Sequence, residues 1–325
     1  MDTKVAAMEG TEVGLYQPLR LLNIKVLMGG PSSEREVSLA SGSAIAEGLG
    51  RVGHTVSRSD IVPEDVSALE EPGIDVVFIA LHGAFGESGE VQRLCEQRGL
   101  RYTGSGPKAS ELAMDKAAAK EVLRRAGLAT PDWVVVKASD ARRHYRKAVE
   151  ALGLPVVLKP VDGGSSVDVT IARDEARRGE ATQALLGKYG LALLERFVRG
   201  AELTVGILGD RALPVIQIVP ARSFYDYTAK YADDTGTQYL FAHGLPEATV
   251  RAAQAAALKT HQALGCRHMS RVDFILAEDG QLQVLESNTI PGFTGHSLLP
   301  KAAAQAGIGF EELVDRIANM AVDDL

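Results

Sequence analysis

Arg271, Asp273, Glu286 and Asn288 stand in "RVDFILAEDGQLQVLESN", two apolar stretches joined by an Asp-Gly turn. Asp-Gly between such stretches is a hairpin signal. Side chains alternate faces along a strand, so Arg271 and Asp273 share one face, as do Glu286 and Asn288. If the hairpin pairs around its turn, those faces meet. They then present two carboxylates, a carboxamide and a guanidinium together. Hard oxygen donors of this kind suit Mg²⁺ or Mn²⁺ held jointly with phosphate oxygens, and the guanidinium suits an oxyanion. The same spacing also fits an amphipathic hairpin with a solvated acidic face, and the pattern alone leaves both open.

A second group lies in "LPVVLKPVDGGSSVDV", residues 154–169. Gly163 and Gly164 allow a sharp bend, Ser165 and Ser166 add hydroxyl donors, and Lys159 ends the preceding strand. Successive backbone N–H groups in such a turn make an anion-binding concavity. The chain returns as a strand, so this is a hairpin and not a phosphate loop leading into a helix. A plain turn beside a surface lysine is the competing reading. In "LLERFVRGAE" the backbone near Glu195, Phe197 and Val198 could meet an adenine rim, with Glu202 placed for ribose hydroxyls; a solvated strand end would look the same.

"GGPSSEREVSLASG" and "LHGAFGESGEVQ" both follow predicted parallel strands, and ligands of open α/β sheets bind beyond the carboxyl ends of strands. Glu34, and His82 with Glu87, are candidate substrate contacts there. Helix capping by Ser33 or Glu36 explains part of the first motif without any function.

The elements that must position these residues follow from periodicity. Residues 24–28 and "IDVVFIALHG" read as buried strands, with a helix over "EREVSLASGSAIAEGLGRVG" between them. "GEVQRLCEQRGL" reads as a helix, "RYTGSG" as a short strand and turn, and "KASELAMDKAAAKEVLRRAGL" as one long helix. A first boundary is expected near 117–130. Beyond it, "LALLERFV", "AELTVGILGD" and "RALPVIQIVP" read as antiparallel neighbours. Residues 223–242 lack periodicity, and a loop that long is usually functional or disordered.

The 325 residues suffice for two or three domains, and 46% hydrophobic with 24% charged residues is ordinary for a soluble protein. A formal charge of −7 argues against a nucleic-acid binder that works by bulk electrostatics. Two cysteines make no disulfide framework, and each is expected to be a small buried hydrophobe in a reducing compartment. No apolar run approaches the ~20 residues of a membrane span, and the first residues lack the apolar core of a secretory signal. The chain is expected in the cytoplasm, with no membrane or nucleic-acid partner.

Taken together, "GGPSSEREVSL", "HGAFGESG", "YTGSGPKASELAMDK", "VVLKPVDGGSSV", "FYDYTAKY", "RVDF" and "LESNTIPGFTGHSLLPKAA" resemble the D-alanine–D-alanine ligase family of the ATP-grasp superfamily. They run in family order from about residue 24 to 320. The resemblance implies an α/β (α+β overall) ATP-grasp fold with an N-terminal preATP-grasp Rossmann-like domain. The units expected are an extension over 1–20, that domain over 21–119, a central lid over 120–212 and a catalytic domain over 213–325. ATP would lie between two antiparallel sheets.

The resemblance also implies a homodimer that joins two D-alanine molecules for cell-wall precursors, using ATP and two Mg²⁺ or Mn²⁺ ions. In its terms Lys116, Lys159 and Lys230 contact the phosphates. Glu195 and Glu202 hold adenine and ribose, with Phe197 and Val198 between them, and Phe224 joins the nucleotide set. Asp273, Glu286 and Asn288 bind the ions. Glu34 anchors the first D-alanine's ammonium with His82 nearby, and Ser165 and Tyr231 link Glu34 to the loop that closes the site. Ser297 and Leu298 lie near the second D-alanine, whose carboxylate Ser297 binds. Arg271 and the backbone at Gly292 stabilise the oxyanion.

Three positions depart from the family pattern. Asp168 stands where the family usually has Gly, Ser88 where it has Asp, and Ser287 in the middle of the E-x-N triplet. A carboxylate against a triphosphate is repelled. Val167 and Val169 alternate with Asp168, so its side chain is expected to face outward; pairing with a nearby basic residue such as Arg173 and weakened ATP binding are the other outcomes. A ligase with a different amino-acid or hydroxy-acid acceptor, and a nucleotide-binding homologue without turnover, are the competing functions.

Overall fold

The computed structural model describes residues 16, 18–140, 142–165, 167–220, 236–241 and 243–324. Three sheets organise them. The first is parallel, with β1 (Asn23–Met28) between β2 (Thr55–Asp60) and β3 (Val76–Ile79). β1 and β3 are near-continuous apolar runs because both faces are covered, the usual state of a parallel sheet. α1 (Arg35–Val52) makes the crossover and stops at Gly53, whose φ of 106° suits glycine. β2, "TVSRSD", has no apolar alternation and is largely exposed, and the sequence reading has no strand there. Six backbone pairings with β1, not burial, make it a strand.

α2 (Ala84–Glu87), α3 (Glu90–Gln97), α4 (Pro107–Met114) and α5 (Lys116–Arg125) follow. The single long helix expected over 108–128 is therefore two. Asp115 leaves the helical region at ψ 98°, and its side chain accepts the Ala118 N–H at 2.9 Å. An N-cap inside an apolar-periodic stretch restarts the helix in a new direction.

The second sheet is antiparallel, in the order β4 (Trp133–Lys137), β7 (Leu191–Arg196), β5 (Val156–Lys159), β6 (Thr170–Ala172). It is backed by α6 (Arg142–Leu152) and α7 (Glu175–Tyr189) around a core of its own that includes Val136, Leu158, Leu185 and Leu194.

The third sheet comprises β8 (Gly200–Leu208), β9 (Arg211–Ala212), β10 (Ile216–Val219), β11 (Gln238–Leu240), β12 (Met269–Ala277) and β13 (Leu282–Asn288). Its order is β11-β10-β8-β12-β13, with β9 paired to β8. β8 and β10 pair as expected, but β7 does not join them. Both edges of β7 are taken by β4 and β5, so Phe197–Arg199 carries the chain from one sheet to the other.

α8 (Glu247–Ala263) and α5 cover one face of the third sheet over Leu123, Leu203, Val205 and Phe274. α9 (Leu298–Gln305) and α10 (Phe310–Asp323) share a core with the first sheet, where Phe293 meets Phe78 and Phe310 edge-to-face at 5.8 and 6.4 Å. Phe274 is fully buried, so Phe274→Ala should cost about 3–5 kcal/mol. Urea denaturation checks this; a loss below about 1 kcal/mol would show the cavity collapses freely. Among the described residues no helix is long and apolar enough to cross a membrane. Cys95 and Cys266 are free and buried as expected, and burial raises both thiols, to about 12 and about 11.

Candidate active site

A cavity of about 440 Å³ lies between the second and third sheets. Val157, Lys159 and Ile171 line one wall; Ile218, Asp273 and Ile275 line the other. Phe197 and Val198, on the crossing segment, close one end beside Glu202. The Glu195 side chain is 2% exposed and lies between two cations, with Lys120 Nζ 2.7 Å from Oε2 and Lys159 Nζ donating to Oε1 at 3.1 Å. Burial pushes this carboxyl up, but Lys159 and Lys120 outweigh it and hold it below the usual range.

The hairpin pairs as the turn predicts, with Arg271 opposite Asn288 and Asp273 opposite Glu286. A bulge follows: the register shifts between Asp273 and Phe274, so Phe274 opposes Val284 and Leu285 is the extra residue. Leu285 and Glu286 therefore both face the cavity while Val284 stays in the core, which strict alternation did not anticipate. Arg271 grips both oxygens of Asp273, through Nε at 3.0 Å and an Nη at 2.9 Å, and Thr204 Oγ1 donates to Asp273 at 2.6 Å. Asn288 Oδ1 accepts the Ile290 N–H at 2.9 Å. Two carboxylates and a carboxamide on facing strands form a hard-oxygen set that fits Mg²⁺ or Mn²⁺ shared with phosphate oxygens.

Lys116 opens α5 and is buried, with Nζ 3.8 Å from Glu286 Oε2 and donating to the Gly163 carbonyl. Burial lowers its pKa, which Glu286 partly offsets. Lys116, Gly163, Gly164 and Glu286 also line a second, smaller cavity of about 100 Å³. The two spaces thus meet over one lysine, one carboxylate and the glycine turn.

The smaller cavity collects the remaining candidates: Glu34, His82, Glu87, Ser165, Arg271, Asn288, Gly292, Ser297 and Leu298. Glu34 is held from two directions. Its N–H donates to Ser32 Oγ, which in turn donates to the His82 carbonyl, and Ser165 Oγ donates to Glu34 Oε1. His82 Nδ1 lies 3.9 Å from Glu87, whose carboxyl burial pushes up. Ser41 Oγ lies 3.4 Å from His82 Nε2 and accepts the Phe293 N–H at 3.2 Å, so it fixes the backbone beside Gly292. A Cβ on Gly292 would sit 2.7 Å from Ser297 Oγ. Ser297 caps α9 and its Oγ accepts the Thr294 N–H at 2.9 Å, which leaves the N-terminus of α9, with Leu298, aimed at the cavity.

Phe224, Lys230, Tyr231 and Ser166 lie outside the described residues, as does most of the 223–242 loop. All other candidates line one or both cavities. Sequence reasoning missed Lys120, Ser41 and Thr204. Lys120 falls one helical turn after Lys116, and that i, i+4 spacing was the available signal.

Matches to two family models cover much of the chain: D-ala D-ala ligase C-terminus over residues 122–319 and D-ala D-ala ligase N-terminus over 57–105. The D-alanine–D-alanine ligase of Syntrophotalea carbinolica is 44% identical over 93% of this chain and 96% of its own. That of Moorella thermoacetica is 43% identical over 93% and 100%. The chain belongs to the D-alanine–D-alanine ligase family. Among solved structures, the ATP complex of the Bacillus anthracis ligase matches with a TM-score of 0.81 at 32% identity, covering 93% of this chain and 97% of that one. The VanG D-Ala:D-Ser ligase of Enterococcus faecalis matches with a TM-score of 0.81 at 27% identity, over 93% and 100%. The fold is the ATP-grasp fold expected from the resemblance.

Against the ligase family pattern, the position usually held by Gly has φ +56° here, and Asp168 occupies it. Asp is among the residues that tolerate this left-handed region. Its carboxylate points out of the larger cavity, accepting from Lys188 Nζ at 2.6 Å and from the Tyr189 hydroxyl. These two, Lys188 first, lower its pKa; the basic partner that the sequence allowed is therefore Lys188 and not Arg173, and the carboxylate both faces outward and is paired. Ser88 ends α2, with its N–H donating to the Ala84 carbonyl. Ser287 is buried beside Cys266 and also lines the smaller cavity.

Proposed function

We propose that the chain is an ATP-dependent ligase that joins two D-alanine molecules through an acyl phosphate, for peptidoglycan precursors. The observation that carries this reading is the meeting of the two cavities over Lys116, Gly163, Gly164 and Glu286, with the Arg271 fork alongside. One space takes a nucleotide, the other two small amino acids, and the residues shared between them are a lysine and glycine turn for phosphate and a carboxylate for metal.

A carboxylate is a poor electrophile. The first D-alanine, its ammonium on Glu34 beside His82, turns its carboxylate toward the γ-phosphate and attacks the phosphorus; the bond to the β–γ bridging oxygen breaks, leaving ADP and the acyl phosphate. Lys116, Lys159 and the glycine turn neutralise and orient the phosphates; Lys230 is assigned to the same set by resemblance. Asp273, Glu286 and Asn288 would hold two Mg²⁺ or Mn²⁺ ions, whose bound charge offsets phosphate repulsion. The second D-alanine, its carboxylate on Ser297 and the N-terminus of α9, attacks the acyl carbonyl through its neutral amine, and the tetrahedral intermediate collapses by expelling inorganic phosphate while the amine nitrogen gives up its extra proton. The tetrahedral oxyanion falls to Arg271 and the backbone N–H at Gly292. Positioning and charge stabilisation carry the rate. The second sheet, with its separate core, acts as the lid that excludes water from the acyl phosphate. By resemblance, Tyr231 joins the set linking Glu34 to the loop that closes the site, and Phe224 joins the nucleotide set.

The test is phosphate release from ATP and Mg²⁺ with a panel of D- and L-amino acids and D-hydroxy acids, with products weighed by mass. D-alanine alone should give phosphate and a dipeptide. Release only with another acceptor, such as the D-serine in the name of the Enterococcus relative, overturns the acceptor assignment. ATP binding without release in any mixture overturns the ligase. The same reading carries a cytoplasmic homodimer, checked by sedimentation. Because Asp168 faces away from the nucleotide cavity, Asp168→Gly should leave the KM for ATP within about twofold, as exposed pairs contribute little. A several-fold fall would place the acid against the phosphates.

A further inference from the structure

Lys120 has no part in the steps above, yet it is one of the largest fully buried side chains in the molecule, at 0% exposure. Its ammonium donates to Thr130 Oγ1 at 2.6 Å and to the Pro131 carbonyl at 3.1 Å, and forms an ion pair with Glu195 Oε2 at 2.7 Å. These contacts all lie within the protein, and Lys120 does not line the cavity. Thr130 passes the contact on, donating to the Val284 carbonyl of β13 at 2.8 Å. Lys159 is different. It lines the nucleotide cavity, and its ion pair is with Glu195 on the neighbouring strand β7.

Glu195 thus has two cations, one fixed and one facing the cavity. An arriving polyanion attracts Lys159, but Lys159 can turn to it only if the carboxylate left behind stays paired. A buried carboxylate without a partner is strongly destabilised. Resting on the assignment of this cavity to ATP, we propose that Lys120 is a positioning residue, the permanent counter-ion of Glu195 that leaves Lys159 free to move from that carboxylate to a nucleotide phosphate. α5 then serves both ends of the site, with Lys116 at the phosphates and Lys120, one turn on, setting the charge balance at the adenine end.

The test is a double-mutant cycle on the full chain, read as the Kd of a non-hydrolysable ATP analogue by calorimetry. Lys120→Met should weaken binding about tenfold or more, because Lys159 becomes the sole partner of Glu195. In a Glu195→Gln background, where no anion needs pairing, the same substitution should change Kd by less than about twofold. Equal effects in both backgrounds, or no effect in either, would overturn the proposal. Should Lys120→Met fail to fold, Lys120→Met/Glu195→Gln should fold, since it leaves no unpaired buried charge; failure of both would also overturn it. A parent chain that binds no nucleotide would instead sink the assignment of the cavity, and one that binds without ligating would sink the ligase while leaving this cycle readable.

Discussion

Glu286→Gln lowers turnover with ATP and D-alanine on the order of 10³-fold, the largest loss expected from a single isosteric change. Glu286 opposes Asp273 across the hairpin, stands at the junction of the two cavities and lies 3.8 Å from the Lys116 ammonium. Glutamine keeps the shape and removes the charge. It also loses half the anionic donors on the facing strands, so the Mg²⁺ concentration for half-maximal rate should rise as well. Phosphate release measured across a Mg²⁺ series reads both quantities. A near-normal rate with an unaltered Mg²⁺ midpoint would remove Glu286 from the metal set and, with it, the reading of the hairpin as the catalytic floor.

Arg271→Lys is the second large effect: kcat should fall about 10²–10³-fold, the range for loss of one preorganised oxyanion donor. Lysine preserves the charge but not the planar fork that holds both oxygens of Asp273 at 3.0 and 2.9 Å. In the proposed mechanism the group also meets charge that develops only as the second amine attacks. The KM for ATP should therefore stay within about threefold, and the loss should persist at saturating Mg²⁺. A rise in KM with kcat intact would make Arg271 a binding residue for the ground state, and recovery at high Mg²⁺ would make its role the support of Asp273.

Much of the site was legible because its residues sit in short motifs on regular elements. The Asp-Gly turn fixed which residues of the hairpin face each other, and the glycine turn after Lys159 is the hairpin loop its flanking strands require. What escaped has physical causes. β2 is an exposed edge held by backbone pairing, so its side chains carry no signal. Asp115 ends one helix and caps the next inside an unbroken apolar pattern, and periodicity does not see a cap used in that way. β7 and β8 are neighbours in sequence that separate because β4 and β5 claim both edges of β7, a long-range pairing. The bulge at Asp273 breaks the alternation that placed Glu286 and so adds Leu285 to the cavity wall. Lys120 gave only a weak sign, since a lysine at i+4 on a helix is more often solvated than sealed against a carboxylate.

α5 has two unlike sides. Ala119 and Leu123 are wedged into close-packed aliphatic contacts with the third sheet, which do not slide without opening a void. The adjoining edge of the helix reaches the second sheet by polar contacts: Lys116 holds the Gly163 carbonyl, Lys120 pairs with Glu195, and the Lys116 N–H donates to the Val161 carbonyl at 3.0 Å. The helix is therefore a bracket, bonded to one sheet by packing and to the other by charge and hydrogen bonds.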